Sequence, residues 1–146
     1  MNRETVRALC QLNTEFYERN AASFSQTRTA PWEGWRRCMA ACGFDDSDEA
    51  LGQSMDTQIA DSVLDIACGN LRFEAFLANT YPHVDWSFFA VDNCEPLVAS
   101  GQEDIAKKVH FTCEDIVSNL LDGLSAAEPA NTPAFAAATP FDLVVS

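Results

Sequence analysis

Positive charge is scarce in this sequence. Nine Lys and Arg stand against 22 Asp and Glu, for a formal net charge of −13. Phosphate binding needs clustered cations, so the balance argues against a nucleic-acid surface made by this chain alone. The few basic residues gather slightly, with Arg28, Arg36 and Arg37 close to Trp32 and Trp35, as on a solvated helix face. Long apolar runs are missing too. No window approaches about 18 uncharged apolar residues, which argues against a membrane-spanning helix. The start, MNRETVRALCQLNTEFYERN, is charged throughout and has no apolar secretory core. Cys10, Cys38, Cys42, Cys68, Cys94 and Cys113 form no C-x-x-C pair, and His83 and His110 lie far apart. That spacing argues against a zinc site.

What is present is a globular composition, 47% apolar over 146 residues, enough for one domain with a core. Cys68, Cys94 and Cys113 lie in or beside apolar runs, which suits buried thiols. Without an export signal, a reducing cytoplasm is the expected compartment. Residues 3 to 26 read as a helix, with Val6, Leu9, Cys10, Phe16 and Tyr17 at helical spacing. Pro31 can open a second helix, with Trp32, Trp35, Met39 and Cys42 on one stripe and Gly43 as its stop. Residues 45 to 61 are acidic and polar and read as a connector. Beyond them, short β-prone runs alternate with helix-like segments: SVLDIAC, FEAFLANTY, WSFFAVD, EPLVASGQ, VHFTC, EDIVSNLLDGL and finally FDLVVS. This is the pattern of a parallel α/β sheet. The Ala/Pro-rich stretch 122 to 140 reads as a surface loop.

The stretch VLDIACGNLRFEAFL locates a site. A strand ends at Asp65 to Ala67, turns at Cys68, Gly69 and Asn70, and feeds a helix. Free backbone N–H groups at such a helix start can face a negatively polarised group, and Gly69 permits close approach. The next strand ends at Asp92, 23 residues after Gly69, where a carboxylate can accept the hydroxyls of a ribose. The third ends at Asp115 beside Ile116, a pair suited to an adenine edge and face. A strand-end Asp can also simply cap the following helix. Both histidines read as structural, one in a helix-to-strand loop and one inside a strand.

Taken together, VLDIACG, FFAVDN, HFTCEDI and FDLVVS resemble the successive motifs of the class I S-adenosylmethionine-dependent methyltransferases, over about residues 60 to 146. FYERNAASFSQTRTAPWEGW resembles the lid before the core of small methyltransferases. Its Phe-Ser-x-Thr-Arg and following Pro-Trp are similar to the tRNA wobble-uridine carboxymethyl methyltransferase group, a match too short to name a substrate. The resemblance implies an α/β, Rossmann-like core with a parallel sheet truncated after the fourth strand. The chain would be a single domain over 1–146, with a helical lid at 1–44, the connector at 45–61 and a partial cofactor-binding core at 62–146. It implies S-adenosylmethionine as cofactor. Asp65, Ala67, Cys68, Gly69 and Asn70 would hold its methionine part, and Asp92 its ribose. Asn93, Asp115 and Ile116 would surround its adenine, with Tyr17 and Arg28 closing from the lid and Arg28 pairing the carboxylate.

The departures from the family carry expectations of their own. The family turn has glycines where this chain has Ala67 and Leu71. Alanine costs little there at negative φ, while Leu71 is expected to narrow the approach to the cofactor. The family core continues for three more strands beyond FDLVVS, so the chain reads as the N-terminal portion of a longer enzyme, binding cofactor without efficient turnover. No catalytic base is evident. The acceptor, a small molecule or a tRNA, is not named by the residues. Other readings are a non-catalytic cofactor-binding or interaction module and a nicotinamide oxidoreductase, of whose G-x-G-x-x-G this chain supplies one glycine. The apolar strand FDLVVS is expected at a sheet edge. Either a second copy of the chain or the 122–140 stretch would cover it.

Overall fold

The computed structural model describes residues 2–44, 62–123 and 141–146, with side chains described through 120 in the second of these. The acidic connector and the Ala/Pro-rich stretch from 124 onward lie outside the described residues. The order of elements is α1 (Arg3–Thr27), α2 (Glu33–Ala41), β1 (Ser62–Ile66), α3 (Arg72–Thr80), β2 (Ser87–Asp92), α4 (Glu95–Ala99), α5 (Glu103–Ala106), β3 (Val109–Cys113), α6 (Ile116–Gly123) and β4 (Leu143–Val145). Among the described residues, no helix is long and apolar enough to cross a membrane.

The four strands form one parallel sheet in the order β3-β2-β1-β4. The chain runs outward from β1 to β2 and β3, then returns to the other side of β1 for β4. The reversal puts a crevice at the carboxyl ends of β1 and β4, the place where open parallel sheets bind ligands. The fold is thus α/β with an all-parallel sheet, compatible with a Rossmann-like arrangement.

Alternation within the strands builds the core. Val63 of β1 and Phe88 of β2 pack against Phe73, Phe76 and Leu77 of α3, with Met39 and Tyr81 completing the cluster. Nearer the carboxyl ends, Ala90 meets Cys68, Leu71, Ala75, Val98 and Ile105. Around Tyr81, the rings of Phe44, Phe76 and Trp86 lie within 5.6–6.3 Å, centroid to centroid. On the opposite face, Phe89 stacks on His110, its register partner in β3, at 5.0 Å, and meets Phe141 at 5.1 Å. His110 is therefore a packing residue in a strand, and His83 lies in the loop between α3 and β2.

Several burial expectations need correction. Cys68 and Cys94 are buried, but Cys113 is exposed because it ends an outer strand. In α2 only Met39 is fully buried; Trp35 packs on the core, while Trp32 and Cys42 are exposed. Trp32 precedes the helix and lays its ring over Gly34, where a Cβ would meet it at 2.6 Å. In α1, Leu9 and Phe16 are exposed. Its second half docks on α4, where Ala21, with Tyr17 and Phe24 beside it, packs on Cys94 and Leu97.

Candidate functional site

The site begins with the backbone between β1 and α3. Ala67 and Cys68 donate their N–H groups to Val91 O at 2.8 and 3.2 Å, which binds the turn to the end of β2. The chain then passes through left-handed φ at alternate residues: +66° at Ala67, +59° at Gly69 and +58° at Leu71. One of the three is glycine. A left-handed conformation costs an L-residue about 1–2 kcal/mol, so Ala67 and Leu71 store strain that Gly69 avoids. Ala67 therefore lies outside the negative-φ condition under which an alanine there costs little. Leu71 does not narrow the cavity that holds Asp65. Its side chain, 1% exposed, turns into the cluster with Cys68 and Ala75, and that packing offsets the strain.

Asp92 holds the turn from the neighbouring strand. One carboxylate oxygen accepts from Gly69 N at 2.9 Å and the other from Cys94 N at 2.8 Å. Asp115 is engaged in a simpler way. It accepts from Ser118 N at 3.0 Å and Ser118 Oγ at 2.7 Å, and so caps α6. Each oxygen retains a further lone pair for a ligand. Asn93 donates to Thr14 Oγ1 at 2.8 Å and joins the tip of β2 to α1.

Two cavities flank this turn and meet at Ala67. One, of about 350 Å³, contains Asp65, Ala67, Cys68, Gly69 and Asn70, roofed by Tyr17 and Arg28 and closed by Trp35, Arg72, Phe73 and the end of β4. The other, of about 280 Å³, contains Ala67, Asp92, Asn93, Asp115 and Ile116, with Cys10 and Asn13 of α1 opposite. The residues expected at the site from sequence are therefore gathered into one divided cleft, with α1 leaning over both halves.

The charged groups of the first half are unevenly provided for. Asp65 is buried, and burial raises its pKa to about 6, helped by the Asp92 charge and opposed by a hydrogen bond with Glu74. Glu74 of α3 is fully buried and held well above the usual carboxylate range, first by burial and then by the Asp65 charge. As a charged acceptor Glu74 has no hydrogen-bond partner at either oxygen among the described residues. The consistent arrangement is a protonated Glu74 that donates to an Asp65 carboxylate facing the cavity. Cys68 is pushed far up, by burial and then by these carboxylates, so it is no nucleophile. Facing the acids across the cavity, Arg28 lies over the Phe24 ring at 3.9 Å and Arg72 over Trp35 at 4.9 Å.

Sequence reasoning missed Arg72, Trp35 and Glu74. Glu74 looks like an ordinary helix-start acid in sequence. Arg72 carried one overlooked signal: it is the first residue of α3, where the helix dipole disfavours a cation. No family model, curated protein or solved structure matches this chain, so its own geometry carries the functional reading.

Proposed function

We propose that the chain binds S-adenosylmethionine in this cleft and belongs to a methyltransferase acting on an acceptor still to be identified. The observation that carries the reading is the divided cleft at the reversal of strand order. A buried carboxylate lies in one half, and two strand-end acids beside apolar side chains lie in the other. Such a cleft suits an elongated ligand with an ammonium at one end and a hydroxylated, ring-bearing group at the other.

Asp65, mostly ionised at neutral pH, would receive the ammonium, and Arg28 the carboxylate beside it. Asp92 would accept from ribose hydroxyls, while Asp115 and Ile116 would flank the adenine. The bound cofactor supplies an activated methyl group. The chain's own task is then to orient it and exclude water, which Tyr17 and the Phe24–Arg28 stack would do from α1. Calorimetry with S-adenosylhomocysteine and with NAD tests the reading. Saturable binding of the first alone is expected, and binding of NAD alone would defeat it.

A second reading rests on the same residues. Both oxygens of Asp92 and both of Asp115 already accept hydrogen bonds from the chain. These acids would then be structural, and the domain an interaction module. Absence of binding to either nucleotide would favour it.

A further inference from the structure

A third, smaller cavity of about 150 Å³ lies on the other side of Asn70. Its lining is mixed: Leu71 and Ala75 form an apolar floor, and Arg28, Thr29, Asn70, Arg72 and Gln102 bring polar groups to it. Arg28 and Arg72 border both this crevice and the larger cavity beside it. Arg72 is held below the usual guanidinium range, first by burial and then by the nearby Arg28 charge. Among the described residues neither has a carboxylate within ion-pair distance, although the chain has 22 acidic residues. Each guanidinium carbon lies over an aromatic ring, Arg28 over Phe24 at 3.9 Å and Arg72 over Trp35 at 4.9 Å. A cation held over a ring face in this way keeps N–H groups that can still donate to an anion. Arg72 also opens α3, where its charge meets the positive end of the helix dipole. Two like charges at one crevice, neither in an ion pair among the described residues, favour an anion placed between them.

We propose that this crevice binds a single phosphate group, carried by a small molecule, between Arg28 and Arg72. Guanidinium forks match phosphate oxygens in pairs. Thr29 and the Gln102 amide stand at the rim as further donors. The serines contribute less: Ser100 Oγ donates to Leu97 O and lies 2.5 Å from Ser25 Oγ, so both hydroxyl protons are engaged within the chain. A polyanion is the poorer occupant, because a net charge of −13 repels every phosphate beyond the first. Arg28 borders both this crevice and the cofactor's methionine half, and its five N–H donors would serve a carboxylate on one side and the phosphate on the other. Where the cofactor reading holds, the crevice would anchor a phosphorylated acceptor beside it.

The test is a titration of the whole chain with inorganic phosphate, followed by the NMR signals of the arginine Nε–H groups. Saturable shifts at Arg28 and Arg72 are expected, with a dissociation constant on the order of a millimolar. Gln102 lines the crevice and not the larger cavity, so Gln102→Glu should weaken phosphate about tenfold by like charge. Arg72→Gln should abolish saturation. A phosphate monoester should bind at least as well as inorganic phosphate, and a single-stranded oligonucleotide more weakly. No saturation at tens of millimolar, an unchanged constant in Gln102→Glu, or tighter binding of the oligonucleotide overturns the proposal. Saturating S-adenosylhomocysteine separates the two claims. Displacement of phosphate by it would reduce the two sites to one and defeat this inference. Failure of S-adenosylhomocysteine to bind at all defeats the cofactor reading and leaves the phosphate result to stand by itself.

Discussion

The inner strands, β1 and β2, and the outer strands, β3 and β4, are both written in β-branched and aromatic residues. They spend them differently. In β1 Val63, Leu64 and Asp65 are all buried, and in β2 so are Phe88, Ala90 and Val91. No residue of β3 or β4 reaches that state. The carboxylates follow the same division. Asp65 and Asp92, on the inner strands, are tied into a buried pair and a strained turn. Asp115, after an outer strand, caps a helix. Stability and the candidate chemistry are thus concentrated in the same few inner residues, and the outer strands chiefly frame them.

The contrast is broken most directly by truncating one ring on each side. Phe88 is 2% exposed and sits in the main cluster, so Phe88→Ala should cost about 3–5 kcal/mol. Phe111 of β3 is half-buried at the edge of the second cluster, and Phe111→Ala should cost about 1–2 kcal/mol. Urea midpoints of the two variants measure the difference, and equal costs would refute the division.

The acids give the next largest effect. Asp92→Ala removes two charge-assisted hydrogen bonds to backbone N–H groups and should cost about 2–4 kcal/mol. Asp115→Ala removes a helix cap and should cost about 1 kcal/mol. Both variants also test the cofactor reading. Because Asp92 holds Gly69, loss of binding in Asp92→Ala could come from a slackened turn as well as from lost ribose contacts. Asp115→Ala leaves the turn alone, so its effect on S-adenosylhomocysteine affinity reads the ligand contact more cleanly. Unchanged affinity in both variants would remove these acids from the site.

Glu74 supplies a pH dependence peculiar to the inner strands. Asp65 rises from 3.8 to about 6 on folding, and Glu74 rises well above 4.5. The folded chain therefore holds protons that the unfolded chain has released. The pair's stabilisation is full below about pH 4; the share of Asp65 is lost as the pH rises through 6 and that of Glu74 as it rises through its own raised value. Glu74→Gln keeps a donor for Asp65 and removes the ionisation. It should raise stability by about 1–2 kcal/mol at pH 8 and change little at pH 5. Denaturation at both pH values checks this, and a variant equally destabilised at each would show that Glu74 is needed as an acid.

The same division decides what could be read from the sequence. The parallel sheet, the turn at Gly69 and the strand-end acids were legible because short β-prone runs alternate with helical segments, three of them end at a carboxylate, and the first is followed by a glycine. Positive φ at Ala67 and Leu71 was not, since neither residue advertises a left-handed backbone. The helical stripe of α1 was legible as a helix, but Leu9 and Phe16 remain exposed because only its second half meets α4. Arg72 and Trp35 converge from α3 and α2 across a long gap in sequence. Such a contact has no period and appears only once the chain is folded.

The smallest effect on folding belongs to the outermost strand, and there the interest shifts to association. Among the described residues, β4 has β1 on one side and nothing on the other. Val144 is 57% exposed between half-buried Leu143 and Val145. An apolar edge with open backbone groups recruits another strand unless a charge or a cover prevents it. We expect the chain to self-associate through this edge at micromolar concentrations. Val144→Lys should alter folding stability by no more than about 0.5 kcal/mol, as surface substitutions do, yet shift sedimentation to the monomer. A monomer in both proteins, with exchange-protected amides at 143 to 145, would instead mean that the chain covers its own edge. The outer strand would then be as fully satisfied as the inner ones, with its distinction resting on side-chain burial alone.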